Sequence, residues 1–236
     1  MIQIAIPTDK VKVDIRLALW LFKVGQRTDL VSELTFKQMQ PIDANRNAIV
    51  KDFLKNKKNN WLLMIDDDMI PKFDIADFAS SGKKILSCLT VIMHKGVPSP
   101  LIMKKLKGKV LYRMLGIKDL EKAEGNLVKV GGVGTGCLLV HRSVFEKIKP
   151  PWFHFAYDKY GCITSSEDYN FSEKARKAGY KLYVDTGSVC GHAKYVDLHD
   201  MNKLMYKIAS SNKVRVERFG DANAMKETLV RKKVSK

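Results

Sequence analysis

The sequence predicts an α/β domain on a mostly parallel central sheet flanked by helices, Rossmann-like in its layering, and three observations carry that expectation. Apolar runs of four to six residues alternate with longer stretches of helical period. One run, Trp61-Leu62-Leu63-Met64-Ile65, ends directly on three carboxylates, Asp66-Asp67-Asp68, and ligands of open α/β sheets bind beyond the carboxyl ends of strands. The chain has 236 residues and is 45% hydrophobic, which suits one domain with an appendage and a real core.

Strands are predicted at Gln3 to Pro7, Leu30 to Thr35, Trp61 to Ile65, Ile85 to Val91, Gly136 to His141 and Lys181 to Val184. Between them Asp14 to Val24 reads as a helix with Asp14 as N-cap, followed by helices over Ala44 to Lys55, Ser143 to Ile148 and Glu167 to Ala178. Gly179 is the C-cap of the last. The main domain is expected over 1–200. Within it 103–129 reads as a basic excursion or β-ribbon, with Lys104, Lys105, Lys107, Lys109 and Arg113 close together. Residues 201–236 hold ten basic and three acidic side chains, a basic C-terminal appendage with helical period only in its first part.

Net charge is +17, from 42 Lys and Arg against 25 Asp and Glu, so the partners are anionic: nucleotides, nucleic acid or anionic lipid headgroups. The four cysteines, Cys88, Cys137, Cys162 and Cys190, are widely spaced without a CxxC pair. Neither a zinc knuckle nor a dense disulfide framework is indicated, and a reduced cytoplasmic setting fits best. The start lacks the layout of a signal peptide. The apolar run Ile15 to Phe22 is broken by Arg16 and far too short to span a bilayer, so any membrane would be met from its surface.

Three constellations carry chemistry. In the acidic triplet, positions i and i+2 leave an extended chain on one side, so Asp66 and Asp68 converge while Asp67 points elsewhere. Two such carboxylates repel unless a cation lies between them, and hard oxygen ligands favour Mg2+ or Mn2+. The bland reading is a solvated acidic turn. Ser165-Ser166-Glu167-Asp168 opens a helix; its acids favour the positive helix end, and beside a crevice one of them suits a general base. Asp185-Thr186-Gly187-Ser188-Val189-Cys190-Gly191-His192 reads as a turn-rich strand exit ending in an imidazole, a borderline third metal ligand beside Asp68. The run Gly131-Gly132-Val133-Gly134-Thr135-Gly136 leads into a strand, whereas a dinucleotide loop must open a helix. It predicts close approach of backbone to a ligand such as a sugar.

In order and spacing these pieces resemble the glycosyltransferases of GT-A fold, closest to the family 2 type. The marks are Ile42-Asp43-Ala44-Asn45-Arg46-Asn47 opening a helix, the DxD of Asp66 to Asp68, Gly134 to Phe145, and Ser166-Glu167-Asp168 with its trailing helix and His192. They cover most of residues 1–195, and none is specific alone. The resemblance implies a hexosyltransferase-type enzyme that uses a nucleotide-diphosphate sugar donor and Mn2+ or Mg2+. Pro7, Thr8 and Asp9 would line the nucleotide pocket, with Arg46 and Asn47 nearby and Asp66, Asp67 and Gly136 on the donor side. Asp66, Asp68 and His192 would hold the metal. Asp168 matches the base of inverting relatives, Glu167 would orient the acceptor, and Trp152 and Phe153 resemble an acceptor-side aromatic loop.

The acceptor implied is a glycan, a lipid-linked sugar or a protein. The transmembrane helices and QxxRW motif of processive relatives are missing, so a cytoplasmic, non-processive enzyme with peripheral contact to anionic membrane is implied. Two other readings stay open. A nucleotidyltransferase of related fold normally carries a glycine-rich basic first loop, which Pro7-Thr8-Asp9-Lys10-Val11 lacks. A basic nucleic-acid-binding protein would explain the charge but gives the acidic clusters no job, and no nucleic-acid partner is expected.

Overall fold

The computed structural model describes residues 1–10, 12–94, 97–105, 112–114, 127–195, 197–211, 214–216 and 229–231. It divides into two compact units, Met1–Ile92 with Pro98–Ala193, and Met93–Val97 with Lys194–Lys236.

The first unit is a mixed α/β layer structure. In chain order it contains β1 (Ile2–Thr8), α1 (Ile15–Gly25), β2 (Val31–Gln38), α2 (Ile42–Lys55), β3 (Trp61–Ile65), β4 (Met69–Pro71) and α3 (Ile75–Ser80). Then come β5 (Ile85–His94) and β6 (Val97–Pro100), of which Met93, His94 and Val97 are counted with the second unit, and β7 (Met103–Lys105), β8 (Tyr112–Met114), β9 (Leu127–Val130), β10 (Cys137–His141) and α4 (Arg142–Lys147). A small ribbon of β11 (Ala156–Tyr157) and β12 (Ile163–Ser165) precedes α5 (Glu167–Lys177) and β13 (Leu182–His192).

The main sheet runs β2-β1-β3-β10-β5-β13-β4, with β6 on β5 and β9 on β13. Strands β2, β1 and β3 are parallel, β10 lies antiparallel between β3 and β5, and β13 is parallel to β5. The central strands read as unbroken apolar runs because both faces are covered. Successive residues of β3 show it: Leu62 and Met64 enter the cluster with Phe53, Phe145 and Phe171 of α2, α4 and α5, whereas Leu63 and Ile65 enter the cluster with Leu17, Leu21 and Phe78 of α1 and α3.

Aspartate caps mark the starts of α1 and α3. Asp14 accepts a hydrogen bond from the Arg16 N–H at 2.9 Å, and Asp74 accepts from the Ala76 N–H at 2.7 Å. Gly179, with φ +90°, closes α5 in a conformation that penalises any side chain. A Cβ on Gly134 would lie 2.4 Å from Leu101 Cδ2, so a side chain there would require Leu101 to move.

The strand exit before His192 differs from its sequence reading. It is part of β13, which stays paired with β5 through a register shift between Asp185 and Val189 and ends antiparallel to β4, His192 opposite Met69. The extra residues at the bulge accommodate Asp185, Gly187 and Ser188, whose side-chain and backbone hydrogen bonds are local.

In the 103–129 excursion, β7 pairs antiparallel with β8. Lys107 and Lys109 lie outside the described residues. The second unit contains α6 (Leu198–Ser211) and an antiparallel pair, β14 (Val214–Val216) with β15 (Leu229–Arg231); the rest of the basic C-terminal segment is outside the described residues.

Candidate functional site

Residues far apart in sequence meet at the carboxyl ends of β1 and β3. Pro7, Thr8 and Asp9 from the end of β1 line one pocket of about 190 Å3 with Asp66, Asp67 and Asp68 and with Met39, Gln40 and Ile42 from the turn between β2 and α2 and the first residue of α2. Asn45 braces this rim: its side-chain amide donates to the carbonyls of Thr8, Lys37 and Met39 at 3.2, 2.8 and 3.2 Å. Asp9 accepts from Gln40 Nε2 at 2.7 Å across the mouth.

The three carboxylates have three different environments. Asp66 accepts two hydrogen bonds from Arg46 Nη2, at 2.9 and 3.0 Å. Arg46 is only 2% exposed and also lies 3.9 Å from Glu167 Oε1, so one buried guanidinium is shared by two acids. Burial pushes the Asp66 carboxyl above the usual range while Arg46 pulls it back, and the same two influences act on Glu167. Asp67 accepts from Thr8 Oγ1 at 2.6 Å and from Lys10 Nζ at 3.2 Å, and this hydrogen bond raises the Lys10 pKa.

Asp68 faces His192, with Oδ2 3.3 Å from Nε2. The other ring nitrogen, Nδ1, lies 3.3 Å from the Val91 carbonyl. A carbonyl only accepts, so Nδ1 carries the proton. In a neutral ring the Nε2 lone pair then points at a carboxylate oxygen, and a proton or cation must lie between the two. Asp68 and His192 therefore fit as two protein ligands to a divalent ion. Asp66 fits less well as a third, because both of its oxygens are engaged by Arg46 Nη2.

Several residues expected at the site have other work. Arg46 is buried behind Asp66, where it holds carboxylates together and offers nothing to a diphosphate. Asn47 accepts from the N–H groups of Trp152 and Phe153 at 2.9 and 3.1 Å and donates to the Phe153 carbonyl at 2.7 Å. It clamps the loop after Pro151 and does not face a nucleotide. Phe153 is fully buried and stacks on Phe171 at 4.8 Å, and Trp152 donates its indole N–H to the Phe145 carbonyl. Both rings are core, leaving no aromatic face for an acceptor. The Gly136 carbonyl accepts from the Asp66 N–H at 2.9 Å, and a Cβ there would touch Met69. It braces the triplet from behind.

Glu167 is buried and turned toward Arg46, whereas Asp168 is half-exposed on the first turn of α5. Asp168 Oδ1 accepts from Ser166 Oγ and from the Tyr169 N–H at 2.8 Å, so its direction is fixed. The chain Asp66–Arg46–Glu167 ties that turn to the end of β3.

Sequence spacing missed one cluster. Cys88, Cys137 and Cys190 stand on β5, β10 and β13, all buried, with their sulfurs within 4.8 Å of one another. Burial pushes the Cys88 thiol up. The signal was available only through topology, since these three strands are neighbours and the cysteines share the face that meets α1 and α3.

No protein-family model matches the chain, and no curated protein does either. Among solved structures it resembles A197 from STIV, with TM-score 0.56 and 18% identity over 83% of this chain and 86% of that one. The search also returned GalNAc-T7 solved with UDP, GalNAc and Mn2+, with TM-score 0.49 and 15% identity over 83% of this chain and 38% of that one. At such identities the likeness to A197 is one of fold.

Proposed function

We propose that this chain is a divalent-metal-dependent glycosyltransferase, moving a sugar from a nucleoside-diphosphate sugar to an acceptor hydroxyl with inversion. The observation that carries the reading is the Asp68–His192 pair at the strand ends, with the imidazole tautomer set by the Val91 carbonyl. Imidazole beside carboxylate favours Mn2+ over Mg2+. When bound, the ion supplies Lewis-acid stabilisation to the departing diphosphate.

The chain's own groups do the rest. The pocket of Pro7, Thr8, Asp9, Met39 and Ile42 is smaller than the ~300 Å3 of a typical ligand site, so it receives part of the nucleotide, with Met39 and Ile42 as its apolar side. Asp67, anchored by Thr8 and Lys10, fixes the pocket's edge. Asp168 takes the acceptor proton as the acceptor oxygen bonds to the anomeric carbon and the bond to the diphosphate breaks. Glu167 positions the turn that carries Asp168 through its contact with Arg46.

Calorimetric titration with a panel of nucleoside diphosphates tests the reading. Binding is expected to require Mn2+, and Asp68→Ala should weaken its metal-dependent part by roughly two orders of magnitude, since metal contact is worth several kcal/mol. Unchanged metal-dependent binding in that variant removes Asp68 from the site.

A further inference from the structure

Helix α1 has two apolar faces where a surface helix has one. Leu17, Leu21 and Val24 are buried against the sheet. Ile15, Leu19 and Phe22 repeat the same spacing two residues earlier, about 200° around the helix, and are 70%, 56% and 69% exposed. A helix that is apolar on opposite sides is normally covered on both. Leu34 and Phe36 of β2 are also exposed, and their register with Ile4 and Ile6 puts them on the same face of the sheet as α1.

Beside this stripe, at the C-terminal half of α1, lies a pocket of about 420 Å3. Lys23, Arg27 and Lys72 line it together with Trp20 and Phe73, whose rings meet edge to face at 6.0 Å. Arg27 is already paired: its Nε and Nη2 donate to the two Asp29 carboxylate oxygens at 3.1 Å, and its Nη1 lies 4.0 Å from Asp74, the carboxylate lining the pocket. Among the described residues neither Lys23 nor Lys72 makes an ion pair. The pocket therefore keeps uncompensated positive charge next to exposed apolar side chains, in a chain of net charge +17.

We propose that this face of α1 docks the protein on an anionic phospholipid surface, with Ile15, Leu19 and Phe22 entering the headgroup boundary and a lipid phosphate seated between Lys23 and Lys72. The combination of an apolar stripe with a cationic flank is what interfacial helices use, and each component alone binds weakly. A second copy of the chain fits less well. An isologous pairing would bring each stripe's cationic flank toward its own copy, between two chains that already repel. The inference does not rest on the glycosyl-transfer reading.

Flotation of the full chain with phosphatidylcholine vesicles, with and without phosphatidylglycerol, tests it. The protein should float with the anionic vesicles alone, and the bound fraction should fall as salt rises. The double variant Leu19→Gln/Phe22→Gln changes only exposed side chains, so its melting temperature should match the parent while vesicle affinity drops roughly ten-fold or more. Lys23→Glu/Lys72→Glu should lose affinity for anionic vesicles comparably, and free inorganic phosphate should not displace the parent. Undiminished flotation of the Leu19/Phe22 variant would assign vesicle binding to the basic C-terminal residues and overturn the proposal. A solution dimer that the same variant dissociates, with no flotation of the parent, would overturn it in favour of a second copy.

Discussion

Arg46→Met is expected to destabilise the fold by about 3 kcal/mol or more near neutral pH, at the lower end of what removing one partner of a buried ion pair costs. Methionine fills the space and keeps the helix, so the loss reports the charge. Arg46 is the guanidinium that faces both Asp66 and Glu167, and Asp66 is partly open to solvent, with its side chain 29% exposed, which moderates the effect.

The pH dependence identifies the cause. Burial already raises both carboxyls above their ordinary values of 3.8 and 4.5, and Arg46 is the strongest influence holding them down. Without it both should rise further. A raised acid contributes stability fully present below its unfolded value and lost as pH climbs through the folded one. The deficit of the variant should therefore be small near pH 4 and grow toward neutrality. Melting curves of parent, Arg46→Met and Arg46→Lys across that range measure it, with the lysine variant intermediate. A deficit independent of pH would mean that Arg46 acts by packing alone.

Asp168→Asn should lower turnover by at least about 100-fold while leaving nucleotide binding intact, the usual range for removing a general base. Asparagine is close to isosteric, and its carbonyl oxygen still accepts from Ser166 Oγ and the Tyr169 N–H, so the first turn of α5 keeps its geometry. What disappears is the capacity to take a proton. Glu167→Gln should behave differently, altering stability through Arg46 more than it alters the chemical step. Near-normal turnover of Asp168→Asn would remove it from the base role.

Much of the frame was legible because local rules and tertiary packing agree. The strand Trp61–Ile65 has the bounds its apolar run predicts, Asp14 caps α1, and Gly179 ends α5. The bulge in β13 was not legible: Gly187 and Ser188 read as turn residues, yet pairing with β5 and β4 resumes beyond them and carries His192 to Asp68.

Side-chain direction was the larger gap. Arg46, Asn47, Trp152 and Phe153 sit in the right segments, but periodicity does not tell whether a polar side chain on α2 turns to a pocket or inward to another element. Arg46 turns inward because two carboxylates wait there, and Asn47 because the Trp152-Phe153 backbone needs partners. The cysteine trio was hidden for a related reason, since contact across three strands follows strand order and not spacing.

The central claim is that Asp68 and His192 hold a divalent ion at the end of β3. Crystals of the full chain grown with Mn2+ and a nucleoside diphosphate, measured at a wavelength where manganese scatters anomalously, test it most directly. The account predicts one strong anomalous peak in contact with both Asp68 and His192, with the diphosphate beside it. A peak that engages Asp66 in place of its bond to Arg46, or no peak at the triplet at all, would contradict it.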